Sequence, residues 1–304
     1  MNPVVCIAGP TASGKSAWAV SLAKQYNGEI INADSMQVYK DLQVLSARPT
    51  EDEMDGIPHH LFGHVDGANR YSVGQWTEEA VPVILDCLAR GVLPILTGGT
   101  GLYFKALTEG LAEIPDPGQS ARDYAQSLLD EGIDLLRTEA ELRDPVGTAR
   151  ILGNDPQRLL RVVSVAEGTG VPLSDWQKNT RPVIPRQYWL GATLMPEREL
   201  LYEKINSRYQ HMVENGGLDE ARFLADRQLE RGLPVMKAIG VMPLIEHIEG
   251  KKSLEIAVEE AKRDTRRFAK RQYTWFRGHS KGWFGVTSDA HKVEFREKIS
   301  QFTR

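Results

Sequence analysis

The segment Gly9-Pro10-Thr11-Ala12-Ser13-Gly14-Lys15-Ser16 fits the phosphate-loop pattern in full, between an apolar run and a helical pattern. Such a loop binds through its backbone. Its glycines let successive N–H groups converge on phosphate oxygens, and the following helix N-terminus adds its dipole. Lys15 supplies a point charge and the Ser16 hydroxyl suits Mg²⁺. The chemistry is polyphosphate binding; ATP, GTP or an organic diphosphate would each satisfy the same amides.

Two other segments carry reactive groups. Asp34, in Asp34-Ser35-Met36-Gln37-Val38-Tyr39, directly follows a predicted strand. Its carboxylate suits a general base, a turn cap or a Mg²⁺ partner acting through water, and residue type alone does not choose among them. Thr100, in Thr97-Gly98-Gly99-Thr100-Gly101, offers a hydroxyl to a bridging or leaving oxygen, and the glycines around it permit close backbone approach. The strand before Thr100 lacks the terminal aspartate of a typical ATPase, which counts against simple ATP hydrolysis.

Cations cluster twice. Gln157-Arg158-Leu159-Leu160-Arg161 sets Arg158 and Arg161 one helical turn apart, with the leucines turned toward the packing side. Guanidiniums so placed grip phosphates or stack on bases. Between Lys262 and Arg277, Arg263, Arg266, Arg267, Lys270 and Arg271 fall on one helical face. Phe268, Tyr273, Trp275 and Phe276 are interleaved and read mostly as core anchors. The plain alternative for such a run is a solvated helix face.

These groups need elements to position them. Val4–Ala8, Glu29–Ala33, Val92–Leu96 and Tyr188–Leu194 read as strands. Helices are predicted over Ser16–Tyr26, Gln75–Leu88, Glu197–Asn215, Asp219–Gln228 and Leu254–Arg277. The β–α alternation predicts an α/β fold: a parallel-sheet core like that of P-loop NTPases, made of residues 1–113 and 188–304. Residues 114–187 read as an inserted helical subdomain, beginning at Ile114-Pro115-Asp116-Pro117-Gly118. In such a sheet ligands bind beyond the carboxyl ends of the strands, where the phosphate loop, Asp34 and Thr100 all stand.

Composition excludes other classes. Among 304 residues, 41% are hydrophobic and 26% charged, which argues against disorder, collagen and coiled coil. With a formal charge of −4, any binding of nucleic acid must use a local basic patch. Cys6 and Cys87 have no metal-ligand spacing and read as buried thiols of a reducing compartment. Met1–Ala8 lacks the basic start of a signal peptide and no run is long enough to span a bilayer, so a cytoplasmic protein without membrane association is expected. His59, His60 and His64 lack matched carboxylate or cysteine spacing and read as loop packing. Trp18, Trp76, Trp176, Trp189 and Trp283 read as core or domain-interface residues.

Taken together, residues 9–16, Asp34–Tyr39, Gly98-Gly99-Thr100-Gly101-Leu102-Tyr103, Gln157–Arg161 and Lys270-Arg271-Gln272-Tyr273-Thr274-Trp275-Phe276-Arg277 closely resemble the motifs of the bacterial tRNA dimethylallyltransferases. The resemblance runs in order along nearly the whole chain. It implies transfer of a dimethylallyl group from dimethylallyl diphosphate, with Mg²⁺, to the exocyclic N6 of the adenosine 3′ of the anticodon. It further implies that the phosphate loop holds the donor's diphosphate, that Asp34 takes the amine proton and that Thr100 bonds the departing oxygen. Asp34, Ser35, Met36, Gln37 and Thr100 would lie against the acceptor adenosine. Arg122, Gln157, Arg158, Leu159, Leu160 and Arg161 would contact the anticodon stem-loop, and Arg181 would reach the diphosphate. A monomer is expected.

The chain departs from the family pattern at Val241 and Met242, which follow Lys237-Ala238-Ile239-Gly240 where many members have an aromatic and then a polar residue; no RNA contact is assigned to them. The two cysteines provide no zinc finger of the kind eukaryotic members carry. Rival readings are a P-loop kinase of a small molecule and a transferase acting on free adenine nucleotides.

Overall fold

Every residue of Val4–Ala8 (β1) is buried, because this strand lies within a sheet covered on both faces. The computed structural model describes residues Asn2–Phe302; Met1, Thr303 and Arg304, which the predicted core range takes in, lie outside the described residues. The other strands are Gly28–Asn32 (β2), His59–His60 (β3), Leu93–Gly98 (β4), Trp189–Leu194 (β5) and Phe284–Val286 (β6). Their order is β3-β2-β4-β1-β5-β6, and every pairing is parallel.

Side chains alternate between the two faces. Val5, Ile7, Ile30 and Ile95 pack with Trp18 and Leu22 of helix Lys15–Tyr26 and with Phe295 and Ile299 of helix Asp289–Phe302. Val4, Cys6, Ile31 and Leu96 pack with Trp76 of helix Val73–Ala89 and with Tyr103 and Phe104 of helix Gly101–Thr108. Burial pushes the Cys6 thiol up to about 12, so it is inert. A third apolar cluster joins Val38, Tyr39 and Leu42 to Tyr209, Val241, Leu244 and Ala261.

The predicted strands are present, and the structure adds two. His59 and His60 pair with Ile30 and Ile31 as β3, too short a stretch for any alternation to register. β6 and the helices Val241–Ile248 and Asp289–Phe302 also escaped the sequence reading.

The chain divides into two compact units, one running to Thr108 and resuming at Ile184, the other Glu109–Val183. The second unit therefore spans slightly different residues from the 114–187 read from composition. Gly110, at φ +87°, lies directly on the Arg181 backbone, where a Cβ would come within 2.1 Å of the Arg181 carbonyl oxygen. The entering and leaving segments meet there, ahead of the proline-rich stretch. Within the unit, helices Gln119–Glu131, Ile133–Arg143 and Pro156–Thr169 enclose Ala125, Leu136, Ala140, Leu159, Val162 and Val163. Asp155 caps the last of these helices and Gly170 ends it in the left-handed conformation. No helix among the described residues is long and apolar enough to cross a membrane.

Candidate active site

Sheet register sets the site. Ala8 pairs with Gly98 and Asn32 with Thr97, so the loops leaving β1, β2 and β4 emerge side by side. Gly14, at φ +87°, turns the first loop into helix Lys15–Tyr26, a conformation a Cβ would strain. Lys15 Nζ donates to the Pro10 carbonyl at 3.3 Å. Burial lowers the Lys15 pKa to about 8; the nearby Asp34 carboxylate opposes that shift and the Arg208 guanidinium reinforces it. Arg208, on helix Arg198–Met212, donates to the Thr11 hydroxyl and also lies in the field of Asp34. The motifs do not reveal Arg208, an isolated arginine on an otherwise ordinary helix.

The loop after β2 is anchored by Asn32, whose side chain is fully buried. Its Oδ1 accepts from Asp34 N at 2.9 Å and its Nδ2 donates to the Asp34 and Leu61 carbonyls, each at 3.0 Å. Asp34 Oδ1 accepts from Met36 N at 2.9 Å. Asp34 therefore caps a turn and still presents its carboxylate beside the phosphate loop: a Cβ on Gly99 would sit 3.4 Å from Asp34 Oδ2 and from the Gly9 carbonyl oxygen alike.

Downstream, the Gln37 amide donates to the Ser46 and Ala47 carbonyls at 3.1 and 2.7 Å. Both hydrogens of its amide brace the loop. Met36 is half-buried against the third apolar cluster. Glu220 holds the same loop from helix Leu218–Asp226, accepting from Gln43 N, Val44 N and Leu45 N at 2.6, 2.6 and 2.8 Å.

Thr100 joins the two sides. Its hydroxyl accepts from Ser35 N at 2.9 Å and donates to Ser35 Oγ at 3.3 Å, while its own N–H donates to the Ala33 carbonyl at 3.2 Å. Only glycine fits at position 98, where a Cβ would lie 2.0 Å from that carbonyl oxygen. Gln272, of helix Leu254–His279, bridges Thr11 N and the Gly99 carbonyl.

Two cavities adjoin these groups. One of about 920 Å³ is lined by Lys15, Ser16, Lys204, Arg208 and His211, together with Asp52 and Glu53. The other, about 240 Å³, is lined by Thr11, Asp34, Ser35 and Arg208 and by the apolar side chains of Ile205, Met212 and Ile239. The first suits a polyphosphate, the second a small apolar group delivered to Asp34. The Ser16 hydroxyl faces the larger cavity and makes no hydrogen bond among the described residues, so this oxygen is free for a hard cation shared with phosphate.

A second titratable group lies apart. His60 Nε2 and Cys87 Sγ both bond Glu29 Oε2, at 2.7 and 3.5 Å. Their donor atoms are clustered closely enough for a metal, but Arg90 grips both Glu29 oxygens at 2.7 and 2.9 Å and already supplies the positive charge. His60 is thus a hydrogen-bond partner of Glu29 on a strand rather than loop packing.

In the second unit Gln157, Arg158, Arg161 and Arg122 are exposed. Arg122 pairs with Asp116 and Arg158 with Asp155, while Arg161 feels the like charge of Arg122. Leu159 is corrected: its side chain is fully buried in the unit's core and is closed to any RNA, and Leu160 is half-buried against the same cluster. Arg181 is exposed and lines a cavity of this unit with Trp176 and Glu113. The five-cation face of helix Leu254–His279 is also less uniform than its spacing implies. Arg263 and Arg267 share Asp264, Arg266 donates to Asn206 at 2.6 Å, and Arg271 lies over Phe268 beside the smaller cavity. Tyr273 and Phe276 are core residues, Val241 is buried and Met242 is half-buried.

The IPP transferase family matches residues 37–279, and the isopentenyl transferase family matches residues 2–61. The tRNA dimethylallyltransferase of Maricaulis maris is 51% identical over 93% of this chain and 92% of its own length, and that of a Caulobacter species 45% identical over 97% and 96%. Among solved structures, the tRNA isopentenylpyrophosphate transferase of Bacillus halodurans matches with a TM-score of 0.69 at 35% identity, covering 100% of this chain and 97% of that one. A eukaryotic dimethylallyltransferase acting on tRNA matches with a TM-score of 0.78 at 29% identity, over 91% of this chain and 70% of that one.

Proposed function

This chain belongs to the IPP transferase family and is a tRNA dimethylallyltransferase, and from that premise we propose how its residues divide the reaction. The donor is dimethylallyl diphosphate and the acceptor is N6 of the adenosine 3′ of the anticodon. The observation that carries the assignment is the convergence of Asp34 and Thr100 beside the phosphate loop. An exocyclic adenine amine is a poor nucleophile, so the reaction needs a positioned base and a stabilised leaving group.

The diphosphate lies on the amides of residues 12–16, with Lys15 and Arg208 offsetting its charge. The amine nitrogen bonds to the allylic carbon as the carbon–oxygen bond breaks. Asp34 takes the amine proton, and the departing diphosphate keeps the electron pair of the broken bond. Thr100 turns its hydroxyl proton from Ser35 Oγ, which it meets at 3.3 Å, to the bridging oxygen. Burial and the guanidinium of Arg208 both favour the unprotonated form of Lys15; a bound diphosphate would restore its proton. The Ser16 hydroxyl would hold Mg²⁺, which would supply positive charge to the leaving group. Small-molecule specificity resides in the 240 Å³ cavity, whose apolar wall fits a five-carbon chain. The exposed Arg122, Gln157, Arg158 and Arg161 serve the anticodon stem-loop, since single-stranded RNA loops are what a protein reads on base edges. The enzyme works as a monomer in the cytoplasm.

Incubation with labelled dimethylallyl diphosphate and, separately, tRNA, AMP or ATP tests the reading. Label should pass to tRNA alone. Transfer to AMP or ATP with none to tRNA would overturn it, as would tRNA-independent ATP hydrolysis without prenyl transfer.

A further inference from the structure

The β1–β4 ladder ends at Ala8 and Gly98, and beyond it the phosphate loop and the Thr100 loop share no backbone hydrogen bond among the described residues. One side chain takes over. Gln272 Oε1 accepts from Thr11 N at 2.9 Å, and its Nε2 donates to the Gly99 carbonyl at 2.9 Å. The residue is only 5% exposed, and it reaches the two loops from a third element, helix Leu254–His279. The backbone at Gly99 closes onto it so tightly that a Cβ there would lie 2.3 Å from Nε2.

We propose that Gln272 is a positioning residue for the transfer reaction, an amide clamp that fixes the phosphate loop against the Thr100 loop; the inference rests on the functional reading above. Its polarity is specific. The clamp needs an acceptor toward Thr11 and a donor toward Gly99, which an amide supplies in one rigid plane. A carboxylate would face the Gly99 carbonyl with a second acceptor, and an aliphatic side chain would leave the buried Gly99 carbonyl and the part-buried Thr11 N–H without this partner. Thr11 N is consumed by the clamp, so diphosphate contacts fall to the amides after it. What the clamp secures is the distance from the diphosphate to the Thr100 hydroxyl. An error of about 1 Å there costs on the order of 100-fold in rate.

The test compares wild type with Gln272→Leu and Gln272→Glu, measuring prenyl transfer to an anticodon stem-loop, pyrophosphate affinity by calorimetry and exchange of the Thr11 amide by NMR. In Gln272→Leu, kcat should fall about 10- to 100-fold while pyrophosphate affinity changes less than about threefold, because the phosphate loop itself remains. In Gln272→Glu, the protonated carboxyl has the donor and acceptor that the clamp needs, so its kcat relative to wild type should rise as pH falls. The Thr11 amide should exchange faster in Gln272→Leu than in wild type. A folded Gln272→Leu with wild-type kcat, or a pH-independent ratio for Gln272→Glu, overturns the clamp. If wild type transfers nothing to RNA, the functional reading fails, and unchanged Thr11 exchange in the variants still decides against the clamp while faster exchange supports it.

Discussion

The backbone N–H of Ser35 donates to the hydroxyl of Thr100 at 2.9 Å, so the group assigned to the leaving oxygen also ties down the acceptor segment. Donor and acceptor sides are mechanically joined through one oxygen.

Thr100→Ala should therefore depress kcat by about 10- to 100-fold and also raise the KM for RNA, whereas Thr100→Ser keeps the hydroxyl and should retain most activity. Steady-state kinetics with both substrates varied measures this. Equal losses in the two variants would show that the hydroxyl has neither role.

Asp34→Asn preserves an acceptor for Met36 N but removes the base, whereas Asp34→Ala removes both. Both should lower kcat by about two to four orders of magnitude, with RNA affinity close to wild type in the asparagine variant. A variant that merely required more Mg²⁺ would make Asp34 a metal-shell residue.

Burial holds the Lys15 pKa down at about 8, and a diphosphate binds the charged form. Pyrophosphate affinity should be full below that pH and weaken above it, by up to about tenfold per pH unit until the complex itself deprotonates. Calorimetry from neutral to alkaline pH gives the inflection, and Lys15→Met should abolish it.

Arg158→Ala with Arg161→Ala should weaken RNA binding by about 2–4 kcal/mol and flatten the slope of log K against log salt by about two. Arg266 donates to Asn206, so Arg266→Ala should leave that slope unchanged. Equilibrium binding at several salt concentrations separates phosphate-binding cations from structural ones.

Glu29 is held down at about 2, chiefly by its hydrogen bonds from Arg90. Because its folded pKa is depressed, the stabilisation is complete above the ordinary glutamate range and is lost as pH falls toward about 2. Glu29→Gln should lower stability by about 2 kcal/mol at neutral pH and blunt the acid dependence, as read from urea midpoints across that range.

Local signals determined much of this protein. The phosphate loop was legible because its function needs fixed residue types at fixed spacing along one turn, and β1, β4 and β5 were legible because strands covered on both faces are largely apolar, whereas β2 showed only its Ile30-Ile31 pair between Glu29 and Asn32. The cation positions on Pro156–Thr169 followed from helical period alone, as did the inward turn of Leu159, which the family resemblance had assigned to RNA. Tertiary structure decided what depends on contacts between distant segments. His60 met Glu29 and Cys87 only because β3 joined the sheet, and Gln37 came to brace its own loop because Ser46 and Ala47 folded back to it. Arg208 stands in no motif, and Gln272 stands in one, Lys270–Arg277, that assigned it no role: the first is separated by 197 residues and the second by 261 from the Thr11 they both touch. Each is an ordinary helical residue until tertiary packing brings its helix to the loops at the carboxyl ends of β1 and β4, where a guanidinium or an amide reaches a loop far away along the chain.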